Sequence, residues 1–227
     1  VAPVGHLKAK LLFGQYGGSR AKLANDCRFL FMDTDQRMIS ALNDEYRSRS
    51  GGAVDLIETT ERIMLGDVNP YQIYRQAADP VGQRTPEQER LLSWVDGAAA
   101  NHFKDRPLDE GASASRQQGR VAVWAKWRDI ESAISSAMDM LDNWNVDGGE
   151  QAAFYLLSGT CGGTGSALFL DVAFLLDRSF RIKKPLVGDP KIRAVLFMPD
   201  YYIQLYRDQQ HPDVTIEDYQ ANAYAFF

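Results

Sequence analysis

A short apolar run, Ala152 to Leu157, passes through Ser158-Gly159-Thr160 into a glycine loop, Cys161-Gly162-Gly163-Thr164-Gly165-Ser166-Ala167, and then into a helix-like segment, Leu168 to Leu176. Strand, glycine turn and helix in this order form half of a parallel α/β unit, and in such sheets ligands bind beyond the carboxyl ends of the strands. A glycine-rich turn entering a helix presents backbone N–H groups and the positive end of the helix dipole to an anion. Glycines let that backbone approach a phosphate closely, and the hydroxyls of Thr164 and Ser166 can add donors. The competing reading is a tight turn with no ligand, because glycine also serves wherever φ must be positive. The lysine of the P-loop is absent and the spacing differs from the dinucleotide fingerprint.

Other segments repeat the alternation. Phe29-Leu30-Phe31-Met32 reads as a buried strand closed by Asp33-Thr34-Asp35, and Met38, Ile39, Leu42 and Tyr46 fall at helical spacing over Gln36 to Arg47. From Ser48 to Asp109 the chain is polar and broken by Gly51-Gly52, Asn69-Pro70, Asp79-Pro80 and Arg106-Pro107, with short helical pieces such as Glu87 to Trp94, and it reads as an insertion. A long helical pattern over Ser115 to Asn143 carries Val121, Trp124, Ile130, Ile134, Met138 and Leu141. A further strand, Ile192 to Met198, ends at Pro199-Asp200, and Ile216 to Phe227 reads as a helix containing Asn222. Strands alternating with helices predict an α/β fold with a mainly parallel sheet.

The formal charge of -5 offers no basic surface for nucleic acid or an acidic membrane, so partners are expected to be proteins or small ligands. Cys27 and Cys161 form no disulfide or zinc pattern, and His6, His102 and His211 show no metal-ligand spacing. No apolar run approaches the ~20 residues of a membrane-spanning helix. A reducing, cytoplasmic setting and no membrane insertion are expected. The tryptophans Trp94, Trp124, Trp127 and Trp144 read as core or interface residues. The chain starts without methionine and stops inside a helical pattern, so a fragment of a longer protein is expected, with a C-terminal domain absent.

The five residues Gly162-Gly163-Thr164-Gly165-Ser166 resemble the signature loop of the tubulin/FtsZ family, with Cys161 and Ala167 at its two outer glycine positions. Gly111-Ala112-Ser113-Ala114-Ser115, followed by Gly119-Arg120, is similar to the family's second phosphate loop; Ser113 and Ser115 depart from it, and Arg116 is a candidate substitute phosphate donor or, as readily, a solvated arginine at a helix start. Asp33-Thr34-Asp35 resembles the acidic loop near the terminal phosphate and magnesium, which implies Asp33 and Asp35 as metal-side carboxylates. A helix cap is the plainer role for Thr34 or Asp35. Met198-Pro199-Asp200 resembles the ribose loop, and Asn222 the helix asparagine that reads the guanine edge.

These motifs occur in the family's order. The long stretch between Asp35 and Gly111 resembles the divergent bacterial tubulin-like proteins, in which a helical insertion, here at about 48–109, is expected. The family's first phosphate loop is expected upstream; His6 to Phe13 then reads as the tail of a helix and Gly14 to Gly18 as a turn. The resemblance implies a Rossmann-like sheet with helices on both faces over residues 1–227. It further implies binding of GTP or GDP with Mg2+, self-association into filaments, and GTP hydrolysis completed by a neighbouring subunit's acidic loop. No catalytic residue is assigned within this chain. Two alternatives stay open: a nucleotide-bound structural or regulatory module without turnover, and a dinucleotide-using oxidoreductase with Asp200 at the ribose.

Overall fold

The computed structural model describes residues 2–49, 55–79, 82–102, 104, 108, 111–112, 115–140, 153–183, 189–200 and 215–226 of the 227. Helix α1 (Ala2–Ala9) runs into a π-helical segment, Lys10–Gln15, that ends at Gly17 and Gly18, with φ of 57° and 80°. Positive φ is where glycine is needed, and the Gly18 N–H closes the turn on the Leu12 carbonyl at 2.7 Å. Ser19 then caps α2 (Arg20–Asp26).

Strand β1 (Phe31–Asp33) is followed by α3 (Gln36–Arg49), as the apolar spacing predicts. Ile39, Leu42 and Tyr46 are buried, but Met38 is 46% exposed and stands off the stripe. The polar stretch after Ser48 is not only helical. A 3-10 turn at Thr59–Glu61 leads into β2 (Arg62–Met64), which pairs in parallel with β1. Three residues are too few for a periodic signal, which is why the sequence conceals this strand. Helices α4 (Pro70–Ala78), α5 (Pro86–Leu92) and α6 (Gly97–His102) follow, the first two opened by Asn69 and Thr85 caps with proline at the first turn.

The long helix expected over Ser115 to Asn143 is two helices, α7 (Arg116–Ala125) and α8 (Trp127–Asp139). Lys126 interrupts them at φ −101°, ψ 15°, and its ammonium donates to Asp67 at 2.7 Å. The break leaves the apolar stripe in phase, so periodicity cannot reveal it. Leu141 to Asn143 and Trp144 lie outside the described residues. Strand β3 (Ala153–Gly159) leads into the 21-residue α9 (Gly163–Lys183), β4 (Lys191–Phe197) pairs in parallel with β3, and α10 (Ile216–Phe226) ends the described chain.

Among the described residues the strands form two separate two-stranded parallel sheets, so the expectation of one doubly wound sheet holds only as a mixed α/β fold with parallel pairs. Alternation along β1 nevertheless turns its faces to different layers. Phe31 is buried with Leu12, Leu23, Ile39 and Leu42, whereas Leu30 and Met32 pack on the core of α8 and α9. Strand β2 does the same, with Ile63 in the second core and Met64 against the first. Phe154, Leu156 and Ile192 of the other sheet enter that α8–α9 core too. A third cluster joins Ala77, Leu91, Val95 and Ala100 to Val121 of α7. Helices α4 to α6 are thereby fixed to the helix that follows the second predicted phosphate loop.

Candidate functional site

The glycine loop leaves the carboxyl end of β3 and is tied at once to β4. The Thr160 N–H and hydroxyl both donate to the Phe197 carbonyl, at 3.1 and 3.0 Å. Cys161 is fully buried, and burial pushes its thiol pKa up. Gly162 caps α9, its carbonyl accepting the Ser166 N–H at 3.1 Å. The next N–H groups, of Gly163, Thr164 and Gly165, have no acceptor within their own helix. Ser166, expected as a phosphate donor, is buried and donates its one hydroxyl proton to the Gly162 carbonyl at 2.7 Å.

The glycines of this loop differ in what requires them. A Cβ at Gly163 would lie 2.7 Å from the Ser115 carbonyl oxygen and 2.8 Å from the Ala112 Cβ. One at Gly165 would lie 2.8 Å from the Gly159 carbonyl oxygen. Real Cβ atoms do not approach so closely, so both positions are fixed by packing. At Gly162 a Cβ would meet nothing within 4 Å, and φ is not positive there. Neither packing nor backbone conformation asks for glycine at 162, and the space above it is open.

The second predicted loop sits against the first. Gly111 takes φ 101°, a value suited to glycine, and faces the Asp35 side chain, whose Cβ is 3.8 Å from a Cβ built at 111. Ala112 is buried, and Ser115 caps α7 by accepting the Gln118 N–H at 3.3 Å. Ser113 and Ala114 lie outside the described residues. Four residues on, a Cβ at Gly119 would lie 2.9 Å from the Gly163 carbonyl carbon and 3.1 Å from the Ala167 Cβ. Helices α7 and α9 thus touch backbone to backbone beside both loops. Arg116 points elsewhere: its guanidinium donates to the Ala225 carbonyl at 2.5 Å, near the end of α10.

The acidic loop reaches the same place. The Thr34 hydroxyl, wholly buried, lies 2.7 Å from the Thr164 hydroxyl. Asp33 accepts the N–H groups of Thr34 and Asp35 at 2.7 and 3.2 Å. Burial raises its pKa, and these two backbone bonds oppose the rise. Asp35 accepts the Arg37 N–H at 2.9 Å, the capping role the sequence allowed. No group of three His, Cys, Asp or Glu side chains able to hold a metal occurs among the described residues. Magnesium carried by a nucleotide needs only one or two carboxylates beside phosphate oxygens, which Asp33 and Asp35 suit.

From the other side, Asn222 of α10 donates its amide to the Cys161 carbonyl at 2.8 Å. Asp200, exposed just past β4, adds its charge to the burial that raises the Cys161 pKa. Residues of the four predicted loops and Asn222 of α10 therefore gather about the head of α9. Sequence reasoning did not foresee the hydroxyl of Thr34 as the link to Thr164, nor Gly119 as the point of helix contact. No local pattern signals either, because each depends on a partner more than forty positions away.

The described residues contain no helix long and apolar enough to cross a membrane. A family model described as tubulin like matches residues 7–227. No curated protein and no solved structure matches the chain.

Proposed function

The chain belongs to the tubulin-like family, and on that premise we propose that it binds a guanine nucleotide, GTP or GDP with Mg2+, at the head of α9. The observation that carries this reading is Gly162, a glycine that neither packing nor φ requires, with nothing within 4 Å of a Cβ there, at a helix N-terminus beside first-turn N–H groups that have no acceptor within the helix. The phosphates sit against Gly162 to Gly165 and the Gly111 to Ser115 loop, and Thr164 adds its hydroxyl. Asp33 and Asp35 hold the magnesium side, while Asp200 and Asn222 stand toward the ribose and base. An asparagine amide offers the donor and acceptor that a guanine edge needs.

Residues 1–227 form the nucleotide-binding domain on this reading, with about 48–109 inserted, and the two strand pairs belong to one mainly parallel, doubly wound sheet. Support for that sheet comes from Met32, Ile63, Phe154 and Ile192 sharing one core, with Phe31 and Met64 turned to the opposite layer. The protein self-associates into filaments in the cytoplasm, a reducing setting that the free thiols of Cys27 and Cys161 suit. A neighbouring subunit completes hydrolysis. Phosphoryl transfer rests mainly on positioning and charge stabilisation, so this chain's own residues bind and orient the phosphates.

A second reading, a nucleotide-bound regulatory module without turnover, is favoured by the Ser166 hydroxyl and the Arg116 guanidinium, both directed at backbone carbonyls. Titration with a fluorescent GTP analogue, with and without magnesium and against ATP and NAD, tests the binding proposal. Guanine-selective binding that is weakened by Thr164→Ala supports it, and selective NAD binding sinks it. Phosphate release measured during assembly separates turnover from the regulatory module.

A further inference from the structure

We propose that Thr34 is a positioning residue that aims the Thr164 hydroxyl at the bound phosphate. This inference rests on the nucleotide reading of the site. The two hydroxyl oxygens are 2.7 Å apart, the usual length of an O–H···O bond, and they join the acidic loop after β1 to the first turn of α9. Each hydroxyl carries one proton, so only one of the two can donate to the other.

Their surroundings decide which one donates. Thr34 is 0% exposed, so no water can take its proton, and a buried donor left without an acceptor is costly. Thr164 is half-buried, at the second position of α9, beside first-turn N–H groups that have no acceptor within the helix. The favoured arrangement has Thr34 donate to Thr164 and leaves the Thr164 proton to turn outward with those N–H groups. A phosphate oxygen that accepts this proton polarises the pair, and each bond of the chain strengthens the other. The Thr34 backbone is itself held, its N–H donating to the Asp33 carboxylate at 2.7 Å, which keeps the hydroxyl in place against Thr164.

A double-mutant cycle on the full chain, read by the affinity for a fluorescent GTP analogue with magnesium, tests the assignment. Thr34→Val keeps the side-chain shape and removes the donor; the expected loss is about fivefold, the worth of one ordinary hydrogen bond. Thr34→Ser keeps the donor and is expected to stay within about twofold of the parent. In a Thr164→Ala background, Thr34→Val is expected to change affinity no further. An equal loss with and without the Thr164 hydroxyl, or a Thr34→Val variant that binds as the parent does, overturns the proposal while leaving nucleotide binding standing. A parent chain that binds no guanine nucleotide overturns the functional reading first and this inference with it.

Discussion

Replacing Gly119 by alanine sets two effects of opposite sign against each other, and the structure says which wins. Gly119 lies inside α7, where alanine is intrinsically better by about 1 kcal/mol. Against this, the new Cβ would stand closest to the Gly163 carbonyl oxygen, then 2.9 Å from its carbonyl carbon and 3.1 Å from the Ala167 Cβ. Carbon atoms at ease sit about 3.5 Å or more apart, so the carbon contact alone asks the two helices to part by roughly 0.6 Å, and the oxygen contact asks for more. The atoms in the way are backbone, which cannot turn aside as a flexible side chain would. Overpacking of this kind costs about 1–3 kcal/mol, so the net effect is destabilising by up to about 2 kcal/mol. For a chain of this size each kcal/mol lowers the melting temperature by about 2–4 °C.

The part of α9 that must retreat is Gly163, one residue into the helix whose N–H groups face the proposed phosphate. Gly119→Ala is therefore expected to lower both the melting temperature and the affinity for a GTP analogue. Gly14→Ala is the control, since a Cβ there would meet nothing within 4 Å and φ is not positive. The control is expected to be neutral or slightly stabilising, through lost freedom of the unfolded chain. Thermal unfolding and nucleotide titration of both variants decide the matter. A Gly119→Ala protein that melts at or above the parent temperature and binds nucleotide unchanged would refute the reasoning.

Three further outcomes follow from the same geometry. A Cβ at Gly162 would meet nothing within 4 Å, so Gly162→Val is expected to cost about the 1 kcal/mol of a poorer helix cap, roughly 2–4 °C in melting temperature, while reducing GTP-analogue affinity tenfold or more, and parent-like binding would remove Gly162 from the site. Burial raises the Asp33 pKa above 3.8, so the folded state holds the proton more firmly than the unfolded one. Its contribution to stability is complete below 3.8 and is lost as pH rises through the raised folded value. Asp33→Asn keeps an acceptor for the two N–H groups, and its melting temperature is expected to exceed the parent's at neutral pH and to converge on it in acid; a gap independent of pH speaks against the buried charge. Arg116→Ala is expected to change nucleotide affinity less than twofold, because the guanidinium is bonded to the Ala225 carbonyl; a loss of tenfold or more would restore Arg116 as a phosphate contact.

What the sequence disclosed and what it hid divide along the range of the interactions concerned. Strand β3 with its glycine turn and α9, the pairing of β1 with α3, and the helix at Ile216 all announce themselves within a dozen residues, through apolar spacing and turn residues. The break at Lys126 escaped because Val123, Ile130, Ile134 and Met138, spaced by seven, four and four, stay on one face across it. Strand β2 escaped because three residues in a polar setting carry no period. Within the site the residue types were legible but their pairings were not. Ser166 and Thr164 look alike in the loop, yet one hydroxyl turns to Gly162 and the other to Thr34, a choice made by the fold around them.

Helix α7 changes how the segment between Ser48 and Asp109 should be regarded. One side of α7 carries Gly119 and Ala122 against α9, and Ser115 caps it at the second proposed phosphate loop. Its other side carries Val121 and Trp124 into the cluster built by α4, α5 and α6. Arg120 adds a contact over the Trp94 ring at 4.9 Å, and Lys126 at its end is tied to Asp67. A helix held on both sides has no freedom to shift toward one without pulling on the other, because close-packed interiors transmit strain instead of absorbing it. Helices α4 to α6 therefore act on the spacing between the two proposed phosphate loops. A change in their packing on Val121 is expected to reach the Gly119–Gly163 contact, where the two helix backbones touch.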